Sequence, residues 1–420
     1  MNSNHCYRQL NSVRETVRFL LRTTRPLIVA TAYMTFLLGQ ASNATASPPT
    51  QNFYVAHDGD GTTGKDWQHA FKELDKIDWY VVKYGDTIYV AGGVYKTPLV
   101  FQQSGVTVRN GAAPHNGQVD LDGSSTSAKI GINFGNYDYV QILGTPQTSG
   151  SNHIQGFAVY NYQTGVYVGP SSYSAHLEYC SIRANKQMGI NTSGYLIVDR
   201  SNIHDNGANI WQTESPGSNY SSYLICSQNW IFNSNYPNVG PGIRVTGDAN
   251  SAWQATVVDT CVMGPCLLRG VAEWSPNDVL TVSNSLFLDA EDANIRSNSQ
   301  HTNVDKITSF MTPHNFQGDG HNCVNLVSGA SVTNSIFYGG NVIAPAGTKL
   351  GSPNDQFNTT GNTTALSSKQ VDPGFETDVS SYDRAVPPST LEADDFTPST
   401  ATAKGTSLTS LDKLTDMLFD

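Results

Sequence analysis

The chain has 420 residues, a net charge of −11, 14% charged residues, 37 glycines and 20 tyrosines. Such a negative charge argues against non-specific binding of nucleic acid, which needs a basic surface. The composition is that of a turn-rich β protein and excludes a disordered chain. An acidic protein that handles an anionic substrate would need a local basic surface or a bound cation.

Residues 1–46 have the pattern of an export signal. Five arginines precede an apolar run at Pro26–Gly39, and Ala44-Thr-Ala46 fits the small-residue cleavage pattern. The run is short for a membrane span, and an uncleaved N-terminal anchor is the alternative. We therefore predict a secreted or extracellular protein, with the periplasm or the cell surface as alternatives, and no membrane span in the mature chain. Residues 47–52 are predicted to be a linker.

The next segment combines a strand, a turn and a helical pattern. Asn52–Ala56 is strand-like, a Gly/Asp turn follows, and Trp67–Lys83 then has apolar residues three or four apart. This spacing predicts an amphipathic helix that covers the open end of a strand stack, where an exposed edge would invite pairing with other chains. Thr87–Val90 and a turn ending at Tyr95 come next.

The succession over Phe53–Tyr95 resembles the opening of secreted right-handed parallel β-helix proteins, the pectate-lyase-like proteins. Val371-Asp-Pro-Gly-Phe375 is similar to their closing segment. The resemblance implies an all-β fold, a right-handed parallel β-helix over residues 53–375 with an N-terminal capping helix. It specifies the activity poorly, because this fold serves lyases, hydrolases, epimerases, adhesins and phage spikes.

One short phrase recurs between Ala175 and Gly340 and independently predicts the same fold. Its last residue is aliphatic and the residue two places earlier is small or polar; those earlier residues are Cys180, Ser201, Asn229, Thr260, Asn284 and Asn334. If Phe310 fills one gap, the spacing is 21 to 31 residues. Repeats of this length stack to bury a shared core. The phrases are strand-like and separated by Gly and Asn turns, which predicts one β-helix coil per repeat.

Two further predictions concern the cysteines and the C-terminal end. Three cysteines lie inside the recurring phrase and are predicted to be buried and free, while Cys261 and Cys266 could close a small disulfide loop. Residues 376–420 are rich in Ser, Thr, Pro and Asp and are predicted to be an irregular tail. A short helical pattern occurs near its end, at Leu408–Phe419.

Each coil carries a second apolar marker, and the residue after it should point outward. The outward series is then Tyr167, Asn191, Trp211, Arg244, Arg269, Arg296 and Asn325. Three arginines in adjacent coils would stack about 4.8 Å apart and repel one another unless something anionic neutralises them. Either local carboxylates do so (Asp248, Glu273, Asp292), or an acidic polysaccharide lies along the arginines and its carboxylates accept the guanidinium hydrogen bonds.

An acidic turn precedes the strand that carries Arg296. Its carboxylates, Asp289, Glu291 and Asp292, are hard oxygen ligands that could bind Ca²⁺. They could instead form an acid/base pair, or simply a solvated turn.

Calcium-dependent pectate lyases, which the chain resembles, hold calcium on an aspartate cluster and use a nearby lysine or arginine as base. By this resemblance the acidic turn would bind the metal, and the catalytic residues would be Arg269, Arg296 and Lys306. Tyr167, Trp211 and Arg244 would bind substrate. The chain departs from the family in that no run matches the aspartate pattern of any one lyase family.

A hydrolase site is less well matched. Gly318–Cys323 is faintly similar to a turn of polygalacturonase-like hydrolases, but the accompanying Asn-Thr-Asp and Arg-Ile-Lys motifs are missing. No carboxylate pair for hydrolysis can be identified. Elsewhere, Glu178 and Asp199 hold equivalent positions beside Arg200, which predicts either a cation site or a salt-bridged surface.

The sequence thus favours a polysaccharide lyase that cleaves a uronic-acid polymer by β-elimination, acting as a monomer. A glycoside hydrolase or an epimerase is the alternative among enzymes. The alternative outside enzymes is a non-catalytic glycan-binding or structural surface protein.

Overall fold

A computed structural model describes residues 50–145, 156–214, 221–234, 240–247, 254–266, 268–311 and 322–350, and the backbone of 355–357, 360–361 and 369–370. The predicted export signal, the closing segment 371–375, the tail 376–420, Asp248 and Gly318–His321 lie outside these residues. In the described part of the chain, no helix is long and apolar enough to cross a membrane.

Three long parallel sheets, A, B and C, run the length of the structure. In stacking order, the strands of sheet A are Asn52–Val55, Thr87–Val90, Thr107–Asn110, Gln141–Leu143, Ala175–Glu178, Tyr195–Asp199, Tyr223–Ser227, Ala255–Asp259, Val279–Ser283, His301–Asp305, Ser331–Thr333 and Lys349–Leu350. Those of sheet B are Gly93–Tyr95, Val119–Asp122, Phe157–Tyr160, Cys180–Arg183, Asn202–His204, Trp230–Phe232, Val262–Met263, Leu286–Leu288, Thr308–Phe310, Ile336–Tyr338, Asp355–Phe357 and Lys369–Gln370. Those of sheet C are Leu99–Val100, Ile130–Gly135, Thr164–Val168, Met188–Thr192, Ala208–Thr213, Ile243–Thr246, Arg269–Glu273, Ala293–Ser297, Asn322–Asn325, Asn341–Ile343 and Thr360–Gly361.

From Thr87 to Gly361, each coil contributes one strand to sheet A, then one to B, then one to C, and each strand pairs in parallel with its equivalent in the next coil. This is the predicted right-handed parallel β-helix, and the resemblance to such proteins is confirmed at the level of the fold. In sheet A, for example, Leu177, Val198 and Cys226 are level with one another, and all are fully buried. The core is therefore a set of aliphatic columns parallel to the helix axis.

The corner between sheets A and B explains why the recurring phrase is so regular. A single residue of left-handed conformation turns the chain there, with φ between 45° and 55°, in seven coils: Tyr179, Arg200, Gln228, Thr260, Asn284, Lys306 and Asn334. Residues other than glycine rarely adopt this backbone conformation, although Asn tolerates it. The corner directs the next residue into the core.

That next residue forms an inward column that is polar apart from its cysteines and Ile307, and we call it the inward polar column. Its predicted register is wrong in its second half. The buried residues after the corners are Cys180, Ser201, Asn229, Cys261, Ser285, Ile307 and Ser335. Thr260, Asn284 and Asn334, which the phrase placed inside, are the corner residues themselves. The one-residue slip arose because outward positions such as Val262 and Leu286 are also apolar and buried, so the alternation that fixes register is lost.

The predicted capping helix at Trp67–Lys83 is also wrong. The segment is irregular and has one 3₁₀ turn, Leu74–Lys76; the other described 3₁₀ turn is Gly123–Ser125. Asp78 and Asp86 accept backbone N–H groups of nearby residues, at 3.0 Å from Tyr80 and 2.7 Å from Lys83. Such local bonds compete with helix formation. The segment still contributes to the core through its apolar residues, Phe71, Leu74, Ile77 and Val82.

The cysteines behave as buried apolar residues. Cys180, Cys226, Cys261, Cys266 and Cys323 are all free and buried, which confirms the prediction for the first three. The alternative disulfide between Cys261 and Cys266 is not formed.

Candidate functional site

The outer face of sheet C carries most of the residues predicted to bind substrate. Tyr167, Asn191, Trp211 and Arg244 are level with one another in successive coils. The next two positions of this column are Ala272 and Arg296. The column is therefore the predicted one, except in the coil that contains Arg269.

Arg269 is level with Ala293, three positions before Ala272, so the predicted stack of three arginines in one column is wrong. The marker that faces the core in this coil is Val271, which is level with Ile243 and fully buried, and not Leu268. Gly270 also faces inward, because a Cβ atom there would lie 3.0 Å from the ring of Phe287. Two consecutive inward residues shift the alternation and place Arg269 beside the column.

The three arginines nevertheless meet on one surface, where they are held by two tryptophans. The guanidinium carbon of Arg244 lies 4.4 Å from the centroid of the Trp211 ring. Those of Arg269 and Arg296 lie 4.7 and 5.3 Å from the centroid of the Trp274 ring. These are cation–π distances. We call Trp211, Arg244, Arg269, Trp274 and Arg296 the arginine–tryptophan surface.

Trp274 was missed by the sequence analysis, although a signal for it exists. It stands two residues after Ala272, on the outward side, and is 37% exposed. With the register of this coil set by Val271, the alternation would have identified it.

One carboxylate neutralises part of the arginine–tryptophan surface. Asp292 Oδ2 accepts hydrogen bonds from Nε and Nη2 of Arg269, and the distance to Nε is 2.5 Å. The same oxygen lies 3.5 Å from Nη1 of Arg296. Of the other carboxylates predicted to pair with the arginines, Glu273 points into the core and is 1% exposed. Local pairing therefore accounts for Arg269 and Arg296.

Arg244 is different. No residue that the structure describes accepts a hydrogen bond from Arg244 or forms an ion pair with it, and its Nε is buried. Burial, together with the nearby Arg269 guanidinium, lowers the pKa of Arg244. A charged group in this situation is poorly solvated and gains from an anionic ligand.

Buried carboxyl groups lie at the corner between sheets C and A, next to this surface. Glu273 and Asp278 are each 1% exposed. Glu214 Oε1 and Asp278 Oδ2 lie 2.5 and 2.9 Å from the position that a Cβ atom on Gly247 would occupy, so they are close neighbours. Burial raises the pKa of Glu273 to about 7, and burial with the nearby Glu214 carboxylate raises the pKa of Asp278 to about 6. Neither Glu214 nor Asp278 was singled out from the sequence, because no local motif marks them.

The carboxylates of the acidic turn differ in burial and in their partners. Asp289 is a corner residue with φ of 43° and is 2% exposed, while Asp292 is bound to the arginines. Within the described ranges, no group of three or more His, Cys, Asp or Glu side chains is arranged to hold a metal ion. The roles of Asp289, Glu291 and Asp292 as calcium ligands stay an untested prediction.

Lys306 is not brought to the arginines. It is an exposed residue in a corner between sheets A and B, whereas the arginines lie on sheet C.

The Glu178 and Asp199 pair forms part of a salt-bridged surface on sheet A. Arg200 Nη1 lies 2.6 Å from Glu178 and 3.4 Å from Asp199. In the following coils the column continues with alternating hydroxyl and carboxylate side chains. The Ser227 hydroxyl donates to Asp199 at 2.6 Å.

No protein-family model matches the chain, and no curated protein matches its sequence. Solved structures that are similar include a pectate lyase, Pel9A, at 17% identity over 85% of this chain and 89% of that chain, with a TM-score of 0.44. XylC in complex with xylose is similar at 11% identity, covering 77% and 87% of the two chains, with a TM-score of 0.48. A rhamnogalacturonan lyase is similar at 13% identity, covering 78% and 91%, with a TM-score of 0.39. Likeness of this degree concerns the fold and not the activity.

Proposed function

We propose that the protein binds an acidic polysaccharide along the outer face of sheet C and cleaves it by β-elimination. The observation that carries this proposal is Arg244, a cation that is held against Trp211 without an anionic partner in the described part of the chain. Around it, three guanidinium groups face one carboxylate, that of Asp292. This excess of positive charge on an acidic protein supports an anionic ligand.

The chemistry follows from what a uronate carboxylate needs. Arg244 would donate two parallel hydrogen bonds to the carboxylate of one sugar unit, as a guanidinium can. The neighbouring Arg269, whose Nε and Nη2 are bound to Asp292, would add its positive charge. Their charge would stabilise the carbanion that forms when a base takes the proton α to the carboxylate. The C–O bond at the β carbon then breaks, a C=C bond forms, and the departing oxygen takes a proton from water. Trp211, Trp274 and Tyr167 would contact sugar rings. Arg269 and Arg296 are bound to Asp292, so we give them the role of charge neutralisation and not that of the base.

A non-catalytic glycan-binding protein is the second candidate, and one observation favours it. The residues predicted to act as the base are either bound to Asp292 or, like Lys306, on another part of the β-helix. Under either candidate the protein would act outside the cell after export by residues 1–46.

The test uses residues 47–420 of the chain, which lack the predicted export signal. The protein is incubated with pectate, alginate and other polyuronates, once with calcium and once with a chelator. Unsaturated chain ends absorb in the near ultraviolet, and their appearance with any polymer would support β-elimination. New reducing ends without this absorbance would indicate hydrolysis. Binding without either product would establish the second candidate. If the protein shows no binding and forms no products, both candidates are rejected.

A further inference from the structure

The outer face of sheet B carries a second group of polar and aromatic side chains, on a different sheet from the arginine–tryptophan surface. Asp120 is level with Ala158, and two positions further along the same strands Asp122 is level with Tyr160. In the following coils, Arg183 is level with His204. Residues two apart in a strand face the same side, so Asp120, Tyr160 and Arg183 share this face.

Contacts between rings organise the lower part of this face. The guanidinium carbon of Arg183 lies 4.5 Å from the centroid of the Tyr160 ring. The His204 ring stacks on Phe232, with 4.7 Å between centroids and an interplanar angle of 2°. The ring centroids of Trp230 and Phe232 are 4.7 Å apart. His204 Nδ1 is 2.6 Å from Oδ2 of Asp205. Aromatic groups therefore continue the face for two coils beyond Arg183.

The two aspartates at the top of this face differ in how they are bound. Asp122 is saturated, since it accepts hydrogen bonds from Asn161 at 2.8 Å and from Ser124 at 2.9 Å and is paired with Lys96. Asp120 is half-buried and makes no hydrogen bond or ion pair with any residue in the described ranges. Burial raises the pKa of Asp120.

Arg183 is in a matching situation. It contacts the Tyr160 ring but makes no hydrogen bond or ion pair with any other described residue. Asp120 and Arg183 are close enough for their charges to influence each other, yet they do not form an ion pair. A carboxylate and a guanidinium that are both partly desolvated and left apart are costly unless something between them accepts and donates hydrogen bonds.

The balance of charge indicates the class of ligand. One free carboxylate and one free guanidinium sum to zero, so this face has no preference for an anion, unlike the arginine–tryptophan surface. A carboxylate accepts hydrogen bonds and a guanidinium only donates them. A ligand that satisfies both must carry donors and acceptors together, as the hydroxyl groups of a sugar do.

We propose that Asp120, Tyr160 and Arg183 form a second carbohydrate-binding site, specific for uncharged sugar units. Asp120 would accept hydrogen bonds from two sugar hydroxyls, Arg183 would donate to a third, and the rings of His204 and Phe232 would contact the C–H groups of an adjoining unit. Binding alone is proposed, because hydrolysis needs two available carboxyl groups and Asp122 is already engaged. The site does not depend on the function proposed for sheet C.

The test is calorimetric titration of residues 47–420 of the chain, with xylohexaose, cellohexaose and mannohexaose as probes. We expect saturable binding of at least one hexaose. Arg183→Ala and Asp120→Asn should each weaken it by at least about tenfold, the loss expected for a hydrogen bond to a charged group. The matched control is Arg109→Ala, because Arg109 is an exposed arginine on sheet A. This control and Arg244→Ala should bind the hexaose as the wild type does.

The proposal is overturned if none of the three hexaoses binds, if Arg183→Ala binds as the wild type does, or if Arg244→Ala abolishes the binding. Thermal unfolding establishes that each variant is folded. Arg183→Lys, which keeps the charge and loses the planar group, serves if Arg183→Ala does not fold, and it should also bind more weakly.

Discussion

The Arg244 guanidinium lies over the ring of Trp211, 4.4 Å from its centroid, and the two residues are level in adjacent coils of sheet C. The indole Nε1 of Trp211 donates to Thr246 Oγ1 at 2.8 Å, which fixes the ring. A guanidinium stacked on a fixed ring loses little further conformational freedom when it binds a ligand. Arg244 is therefore preorganised to receive an anion.

Arg244→Ala should weaken the binding of an oligogalacturonate by roughly tenfold or more, because a charge-assisted, bidentate pair is lost. Its binding should also depend less steeply on salt. Arg244→Lys should restore part of the affinity, since it keeps the charge without the fork. Equilibrium titration at several salt concentrations measures both effects, with Arg109→Ala as the control. Unchanged affinity in Arg244→Ala would remove this residue from the site.

Asp292→Asn should have the opposite effect and tighten the binding of the same oligosaccharide. The substitution removes the only described carboxylate that is bound to Arg269 and Arg296 and leaves more positive charge on the surface. The titration is made with a chelator present, so that bound cations do not contribute. Weaker binding would show that Asp292 itself supports the ligand and would contradict the role given to it here.

The stability of the protein should fall as the pH rises from roughly 4 to about 7. The pKa values of Glu273 and Asp278 are raised, to about 7 and about 6, so the folded state binds these protons more tightly than the unfolded state does. The free energy of unfolding then decreases with pH across this window and levels off above it. His176, whose pKa burial lowers, acts in the opposite direction.

For this reason the comparison is made between the wild type and the double variant Glu273→Gln/Asp278→Asn. Urea unfolding at several pH values should show that the variant loses a pH dependence on the order of a few kcal/mol. Identical pH profiles for the two proteins would show that these carboxyl groups are not the source.

Asn229→Ala should destabilise the β-helix by about 2–4 kcal/mol, because two buried backbone groups lose their partner. The Asn229 side chain accepts the N–H of Ser201 and donates to the carbonyl of Val198, both at 2.8 Å. Asn202→Ala, on the outer face of sheet B, is the control and should change the stability by less than about 0.5 kcal/mol. Urea unfolding measures both; equal effects would mean that the inward polar column contributes nothing.

The sequence predicted the β-helix because its repeats report on aliphatic columns, such as the one through Leu177 and Val198, that have one strongly favoured register. It placed Trp211, Arg244 and Arg296 on a common outer face for the same reason. It failed in one coil, where it took Leu268 as the inward marker instead of Val271, and so it missed Trp274. Contacts made across loops, such as that between Glu214 and Asp278, leave no periodic signal. The apolar spacing after Trp67 was misleading because apolar residues of an irregular segment also reach the core.

The most direct measurement of the central claim is hydroxyl-radical footprinting of the aromatic side chains, with and without a saturating oligogalacturonate. Trp274 is 37% exposed on the arginine–tryptophan surface, whereas Tyr80 and Tyr84, 91% and 62% exposed, lie in the irregular N-terminal segment and serve as internal controls. We predict that the ligand slows oxidation of Trp274 and leaves both tyrosines unchanged. Protection of neither tryptophan of this surface at saturation, or protection confined to sheets A and B, would contradict the assignment of the acidic-polysaccharide site to sheet C.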